Sequence, residues 1–170
     1  MKWLGVVLVI VLLVAWAVLR YQPSLHSIQT NIAAEFAQVE NISSDELLAL
    51  PDEQLVVFDV RESEEYQVSH IEGAILIPPS LSAEEFMHDY GELLVEKQAV
   101  FYCSVGQRSS EYIARLQSIV PNRDYRNLSG GLFNWINEKH SVVGKGVHPY
   151  NSYWGRLIED KTQINRNPMP

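Results

Sequence analysis

Cysteine occurs once in the 170-residue chain, at Cys103, so no disulfide can form within it and no dithiol motif can operate alone. A disulfide-stapled scaffold is excluded. Histidine is also sparse: His26, His70, His88, His140 and His148 stand apart without ligand spacing, and no metal site is indicated. Internal repeats and low-complexity runs are missing. Charged residues make up 20% against 46% hydrophobic, a balance that argues against disorder. Acidic residues are absent from the first twenty positions, whose only charged side chains are Lys2 and Arg20. The rest of the chain carries 11 basic and 21 acidic side chains, a net charge of −10. A surface of that sign repels nucleic acid, and no basic patch interleaved with aromatics offsets it. It also repels anionic substrates at long range, so any anion site must be built locally.

Residues 3–19, WLGVVLVIVLLVAWAVL, run without a charge. Their number falls at the short end of the roughly 17–25 residues that span a bilayer. Lys2 and Arg20 bracket the run, with Trp3 and Tyr21 where interfacial aromatics sit. No polar face exists at any helical period, so a buried core helix is a poor reading. The expectation is a single-pass anchor, with the lipid bilayer as partner of residues 3–19. A signal peptide cleaved after Ala15-Trp16-Ala17 is the alternative. Lys2 and the terminal amine oppose Arg20 alone, and the next Lys or Arg is Arg61. The positive-inside rule then points the rest of the chain outward, to an extracytoplasmic (periplasmic-like) side.

The remainder divides into a stalk over 21–40, a domain over 41–140 and a tail over 141–170. In the stalk, Ile28, Ile32 and Phe36 recur every four residues, one face of a short helix. Ser43 with Glu46, and Ser82 with Glu85, are capping boxes that open helices around 45–49 and from 82 to about 95. LVVFDV at 55–60 and AVFY at 99–102 read as strands buried on both faces. A shorter strand is expected at 74–77, a helical turn at 63–67, a helix at 108–118, a strand at 124–128 and a last helix at 132–139. Strand and helix alternate throughout. The fold class is α/β, a mainly parallel sheet flanked by helices on both faces, preceded by one transmembrane helix. The tail carries no pattern, but Tyr150, Tyr153 and Trp154 suit packing back on the domain or a strip for a partner.

The chemistry concentrates at VFYCSVGQRSS, residues 100–110. A buried strand runs into Cys103, Gly106 allows a tight turn, and a helix starts near Arg108. Sites in open α/β sheets lie beyond the carboxyl ends of strands. A helix start there offers unpaired N–H groups and partial positive charge, and a glycine-bearing loop lets them converge on an anion. Arg108 and the helix terminus favour thiolate over thiol. The plain alternative is an ordinary buried cysteine at a strand end, for which the base rate is high.

The surrounding motifs are those of one family. Asp59-Val60-Arg61, Glu65-Tyr66, then His70-Ile71-Glu72-Gly73-Ala74 with Ile77-Pro78 stand in order. Cys103-Ser104-Val105-Gly106-Gln107-Arg108-Ser109 is similar to a C-x-x-G-x-R-S loop, and Leu128-Ser129-Gly130-Gly131 with Trp135 closes the set. From about 41 to 139 the chain resembles the rhodanese-like family. It departs at Ser69, where a glycine is frequent, and at Ser104, where many active members carry a basic residue. Asp59, Arg61, His70 and Trp135 are read as structural, fixing loops and packing.

The resemblance implies a sulfurtransferase in which the Cys103 thiolate takes sulfur as a persulfide. The backbone of Ser104, Val105, Gly106, Gln107, Arg108 and Ser109 would hold that persulfide. A small sulfur donor such as thiosulfate, and a thiol or cyanide acceptor, are implied as partners; no cofactor or metal is called for. With no second cysteine, an external thiol must restore the thiolate. Two rivals stand beside this reading. Cysteine-dependent phosphatases resemble a loop with five residues between Cys and Arg, and here there are four, a narrower cradle that suits a single sulfur atom. The other rival is a membrane-tethered binding or redox-sensing module that does not turn over.

Overall fold

The computed structural model describes residues 2–20, 23–121 and 123–165. In chain order its elements are α1 (Lys2–Arg20), α2 (Leu25–Glu35), β1 (Glu40–Ile42), α3 (Ser44–Leu48), β2 (Leu55–Asp59), α4 (Ser63–Val68) and β3 (Ser69–His70). There follow β4 (Ile75–Leu76), α5 (Ala83–Tyr90), β5 (Gln98–Tyr102), α6 (Gln107–Ile119), β6 (Tyr125–Leu128), α7 (Gly131–Asn137) and β7 (Val143–Gly144). Five strands form one parallel sheet in the order β1-β6-β5-β2-β4, and β3 pairs antiparallel with β7 in a separate ribbon. The α/β class and the parallel sheet are as expected; β1 and the ribbon have no counterpart in the sequence pattern.

The two apolar runs become the middle of the sheet because each side of each strand meets a helix layer. Along β5, Ala99 and Phe101 face one core while Val100 and Tyr102 face the other; in β2, Val56 and Phe58 oppose Val57. Phe58 and Phe101 pack with Phe86 of α5 and Tyr112 of α6. On the other face lie Ile32 of α2, Leu47 of α3, and Leu132, Phe133 and Ile136 of α7. Each such side chain, fully buried, contributes roughly 1.5–3 kcal/mol.

Both expected capping boxes form. Ser43 Oγ accepts the Glu46 N–H and the Glu46 carboxylate accepts the Ser43 N–H, and Ser82 and Glu85 repeat the exchange. The helix that starts after Ser82 stops at Tyr90 rather than near 95. Gly91, a poor helix former, caps it, residues 91–96 continue as turns with Leu94 buried, and Glu96 takes a left-handed φ of 61°.

Asp59 and Arg61 form a fully buried ion pair, with Arg61 Nη2 2.6 Å from Asp59 Oδ2 and also donating to the Ser69 carbonyl at 2.6 Å. The Tyr102 hydroxyl accepts the Ile71 N–H at 3.1 Å; burial, with the Asp59 charge beside it, holds that phenol well above its ordinary pKa. His70 stacks on Tyr66, and Trp135 Nε1 donates to the Ser141 carbonyl. These contacts tie β2, β3 and β5 together beneath the loop that follows β5.

Residues at both ends of the domain pack against it. The α2 face bearing Leu25, Ile28 and Ile32 lies on the core, as does Phe36, with Ile32 buried. After His140 the chain forms β7 and then a strap in which Val147 and Ile158 are fully buried and Trp154, Leu157 and Ile164 pack on the α7 side. Lys161 Nζ donates to the carbonyls of Gly155, Arg156 and Ile158, and Asn137 clamps the strap through Leu157 O and Glu159 N. The described apolar side chains of α1, among them Val6, Val9, Ile10 and Leu13, are exposed. Among the described residues no helix is long and apolar enough to cross a membrane. Part of the expected span, the side chains at Leu4, Gly5, Leu8 and 17–20, lies outside those described.

Candidate active site

β5 is the central strand of the sheet, and Cys103 follows directly at its carboxyl end. The thiol is buried, with 1% of the residue exposed. Val60 N–H donates to the Tyr102 carbonyl at 2.8 Å, so the strand pairing holds up to the last residue before the cysteine. The chain then turns through Ser104 and Val105 to Gly106, whose φ of 98° is left-handed. A side chain there is disfavoured, and a Cβ would stand 3.1 Å from Asn127 Nδ2. The turn brings the Gly106 N–H to 3.2 Å from Cys103 Sγ, and α6 begins at the next residue.

The orientation of this loop comes from α7. The Leu132 and Phe133 N–H groups donate to the carbonyls of Cys103 and Ser104 at 2.9 and 3.0 Å. With those carbonyl oxygens bound on the α7 side, the Gly106 N–H faces the sulfur. The first turn of α6 adds amides that have no intrahelical acceptor and the positive end of the helix dipole. Together with Arg108 these groups can cradle an anionic sulfur. Gly131 (φ 56°) allows the close approach, since a Cβ there would overlap the Cys103 carbonyl oxygen and stand 2.9 Å from Ser104 C and Val105 N.

The six loop residues named from the sequence are therefore brought together around Cys103, but their side chains do different work. Arg108 turns to Glu65: Nη1 donates to Oε2 at 2.8 Å and Nη2 to Oε1 at 2.9 Å. Ser104 Oγ joins them, accepting from Arg108 Nη2 at 3.1 Å and donating to Glu65 Oε1 at 2.8 Å. Burial alone would raise the Glu65 carboxyl; the Arg108 hydrogen bonds and charge, with Ser104 donating, outweigh it and hold the carboxyl below its ordinary value. Burial works against the Arg108 cation as well, and the Glu65 hydrogen bonds with the charges of Cys103 and Glu65 more than restore it. Ser109 Oγ donates to Asn127 Oδ1 at 2.6 Å, and Asn127 Nδ2 donates to Asn41 Oδ1 at 2.9 Å, fixing the first turn of α6 to β6 and β1. Gln107 reaches outward to Glu35.

Glu65 and Asn127 are the partners that sequence reasoning leaves unassigned. Glu65 stands in a motif, but 43 positions separate it from Arg108, and nothing local marks the pair. Two residues of the strap also enter the site. Tyr150 and Trp154 join Cys103, Val105 and Arg108 in lining a cavity of about 240 Å³, and the Arg108 guanidinium carbon lies 5.3 Å from the Tyr150 ring centroid. Among the described residues no group of three or more His, Cys, Asp or Glu side chains could hold a metal ion.

The family model of the Rhodanese-like domain matches residues 43–138. The chain belongs to the rhodanese-like family. MoeZ of Mycobacterium tuberculosis, a probable adenylyltransferase/sulfurtransferase, is 34% identical over 110 residues, covering 62% of this chain and 27% of its own length. The thiosulfate:glutathione sulfurtransferase of Saccharomyces cerevisiae is 29% identical over 98 residues, covering 51% of this chain and 68% of that protein. A rhodanese-related protein of Thermoplasma volcanium superposes with a TM-score of 0.50 at 26% identity, over 61% of this chain and 97% of its own. Sulfurtransferase is the activity that the first two names share, and this chain is related to it at the level of the family.

Proposed function

We propose that the chain is a membrane-anchored sulfurtransferase that moves sulfane sulfur from a donor such as thiosulfate to a thiol or cyanide through a Cys103 persulfide. The observation that carries the proposal is the backbone cradle: Gly106 N–H at 3.2 Å from Sγ, with the Cys103 and Ser104 carbonyls bound away by α7. The thiolate attacks the outer sulfur of thiosulfate; the new S–S bond forms as the old one breaks, and sulfite leaves with the electron pair. Cyanide or a thiolate then takes the outer sulfur and returns Cys103 as thiolate. Splitting the transfer in two is covalent catalysis, and the amides stabilise the persulfide anion as an oxyanion hole would.

The anchor rests on the complete sequence of residues 3–19, which has no charged side chain. The 19 residues of α1 extend roughly 28 Å at 1.5 Å per residue, close to the ~30 Å hydrocarbon core. The charge asymmetry about that segment supports the extracytoplasmic side for the domain. Carbonate-resistant sedimentation with membranes, and protease digestion of vesicles of known sidedness, test anchor and orientation. Release of the protein by carbonate would remove the anchor from the proposal.

Intact-mass measurement of the full-length protein in detergent, beside Cys103→Ser, tests the chemistry. The wild type alone should gain one sulfur from a donor and lose it to cyanide or a thiol. If well-folded wild type gains none from any donor, the enzyme reading gives way to a tethered module whose cysteine is only oxidised and reduced.

A further inference from the structure

The cavity over Cys103 has walls that differ from its floor. The floor is the amide cradle; the walls are the Tyr150 and Trp154 rings and Val105, with Arg108 the one charged side chain among the lining residues. That charge is already divided. Glu65, its side chain 2% exposed, takes both Arg108 nitrogens, so thiolate, Glu65 and Arg108 together leave the site at a net charge of −1. A dianion approaching such a site, in a domain that is itself acidic, is opposed at both long and short range. The walls instead suit a body that is apolar and flat, and about 240 Å³ is smaller than the ~300–1,000 Å³ of sites for drug-sized ligands.

Both rings are held in place. Trp154 packs on the core, and the backbone N–H groups of Tyr153 and Trp154 donate to Asn151 Oδ1. Tyr150 takes a left-handed φ of 60°, a conformation unfavourable for a residue with a Cβ, while its N–H donates to His148 Nδ1 at 3.1 Å. Its ring comes to rest against Arg108 at the mouth of the cavity. Backbone strain at a residue whose ring lines the cavity is consistent with the ring's position being what is retained.

Resting on the sulfurtransferase reading, we infer that the preferred sulfur carrier, ahead of thiosulfate, is a small organic molecule with an aryl or alkyl body and at most one negative charge, and that Tyr150 and Trp154 determine that preference. For a persulfide R–S–SH, the Cys103 thiolate attacks the outer sulfur, the S–S bond breaks, and R–S⁻ leaves with the electron pair into the aromatic end of the cavity. Cys103 is left as the persulfide with the proton on the transferred sulfur.

Benzenethiosulfonate and thiosulfate make the test, because they present the same sulfane sulfur with and without an apolar body and differ by one charge. Full-length protein in detergent is assayed for kcat/KM with each, normalised to each donor's rate with free cysteine. The aryl donor should be preferred by about tenfold, the scale on which a hydrophobic pocket discriminates a small apolar group. Tyr150→Gly, which removes the ring and keeps the backbone conformation without a Cβ, and Trp154→Leu should each bring that ratio toward unity. A wild-type preference for thiosulfate, or a ratio that neither variant changes, overturns the inference. Should the variants not fold, the wild type still decides. Unreactive benzenesulfonate should slow alkylation of Cys103 by iodoacetamide where equimolar sulfate does not; equal effects of the two anions overturn the inference. If neither donor adds sulfur to Cys103 by mass, the sulfurtransferase reading itself falls and takes this one with it. If both add it with equal normalised efficiency, only this one falls.

Discussion

Arg108 gives both terminal nitrogens to Glu65, at 2.8 and 2.9 Å, while sitting in the first turn of the helix that frames Cys103. The loop arginine is therefore half of an ion pair that bolts α6 to α4, while its charge also acts on Cys103. Ser104 closes the triangle, so the residue at the position where a basic side chain is frequent spends its hydroxyl on the same carboxylate.

Removing Glu65 should weaken the fold. Glu65→Ala leaves a guanidinium with 25% of its side chain exposed, so part of the charge reaches water and the loss sits toward the lower side of a broken buried pair, about 2–4 kcal/mol. Urea unfolding followed by circular dichroism measures it. A loss within a few tenths of a kcal/mol would show the pair to be solvent-screened.

The same pair sets an acid limit. Glu65 titrates below its ordinary value in the folded protein, so the unfolded chain binds its proton first on acidification. Its contribution is fully present above the unfolded carboxyl pKa of about 4.3 and is lost as pH falls through the lowered folded value. Wild-type unfolding free energy should therefore drop over that range more steeply than that of Glu65→Gln. Parallel profiles would contradict the pairing; the other carboxylates are common to both proteins and cancel in the comparison.

Two glycines with similar backbones separate strain from collision. At Gly73 (φ 74°) an added methyl group would meet nothing within 4 Å, whereas a methyl at Gly131 meets the backbone of Cys103, Ser104 and Val105. Gly73→Ala should cost only the left-handed penalty, about 1–2 kcal/mol, and leave sulfur loading intact. Gly131→Ala should cost more and slow loading, because the Cys103 carbonyl must leave the Leu132 N–H. Loading by intact mass and stability by urea unfolding distinguish the two; identical behaviour would remove α7 from the positioning of the loop.

The parts of this architecture that are legible in the sequence are those whose signal is local. LVVFDV and AVFY read as buried strands because both faces are covered, and the boxes Ser43 to Glu46 and Ser82 to Glu85 read as helix starts because partner and cap lie three residues apart. The Cys103 loop is legible in its residue types for the same reason. Contacts made across the chain are not. Nothing near Glu65 marks Arg108, and nothing near Asn127 marks Ser109 or Asn41, since those pairings exist only once β5, β6 and β1 lie side by side. The segment after His140 lacks periodicity because its buried residues lie outside regular elements, Val147 in an isolated bridge to Ile164 and Ile158 just past the 3-10 helix Trp154–Leu157; its place beside the cysteine depends on Asn137 and Lys161 gripping backbone carbonyls. The helix after Ser82 is misjudged in length because Leu94 is buried from a turn, and an apolar residue at helical spacing looks the same either way.

The cradle and the aromatic wall belong to different stretches of chain, one inside the strand-and-helix core and the other on the strap after β7. Inheritance can therefore act on them separately. Substitutions in the strap change what fits beside the cysteine without moving an amide of the loop, so descendants of this domain could exchange one clientele for another while keeping their chemistry, and a transplanted strap is the unit by which that exchange would be engineered.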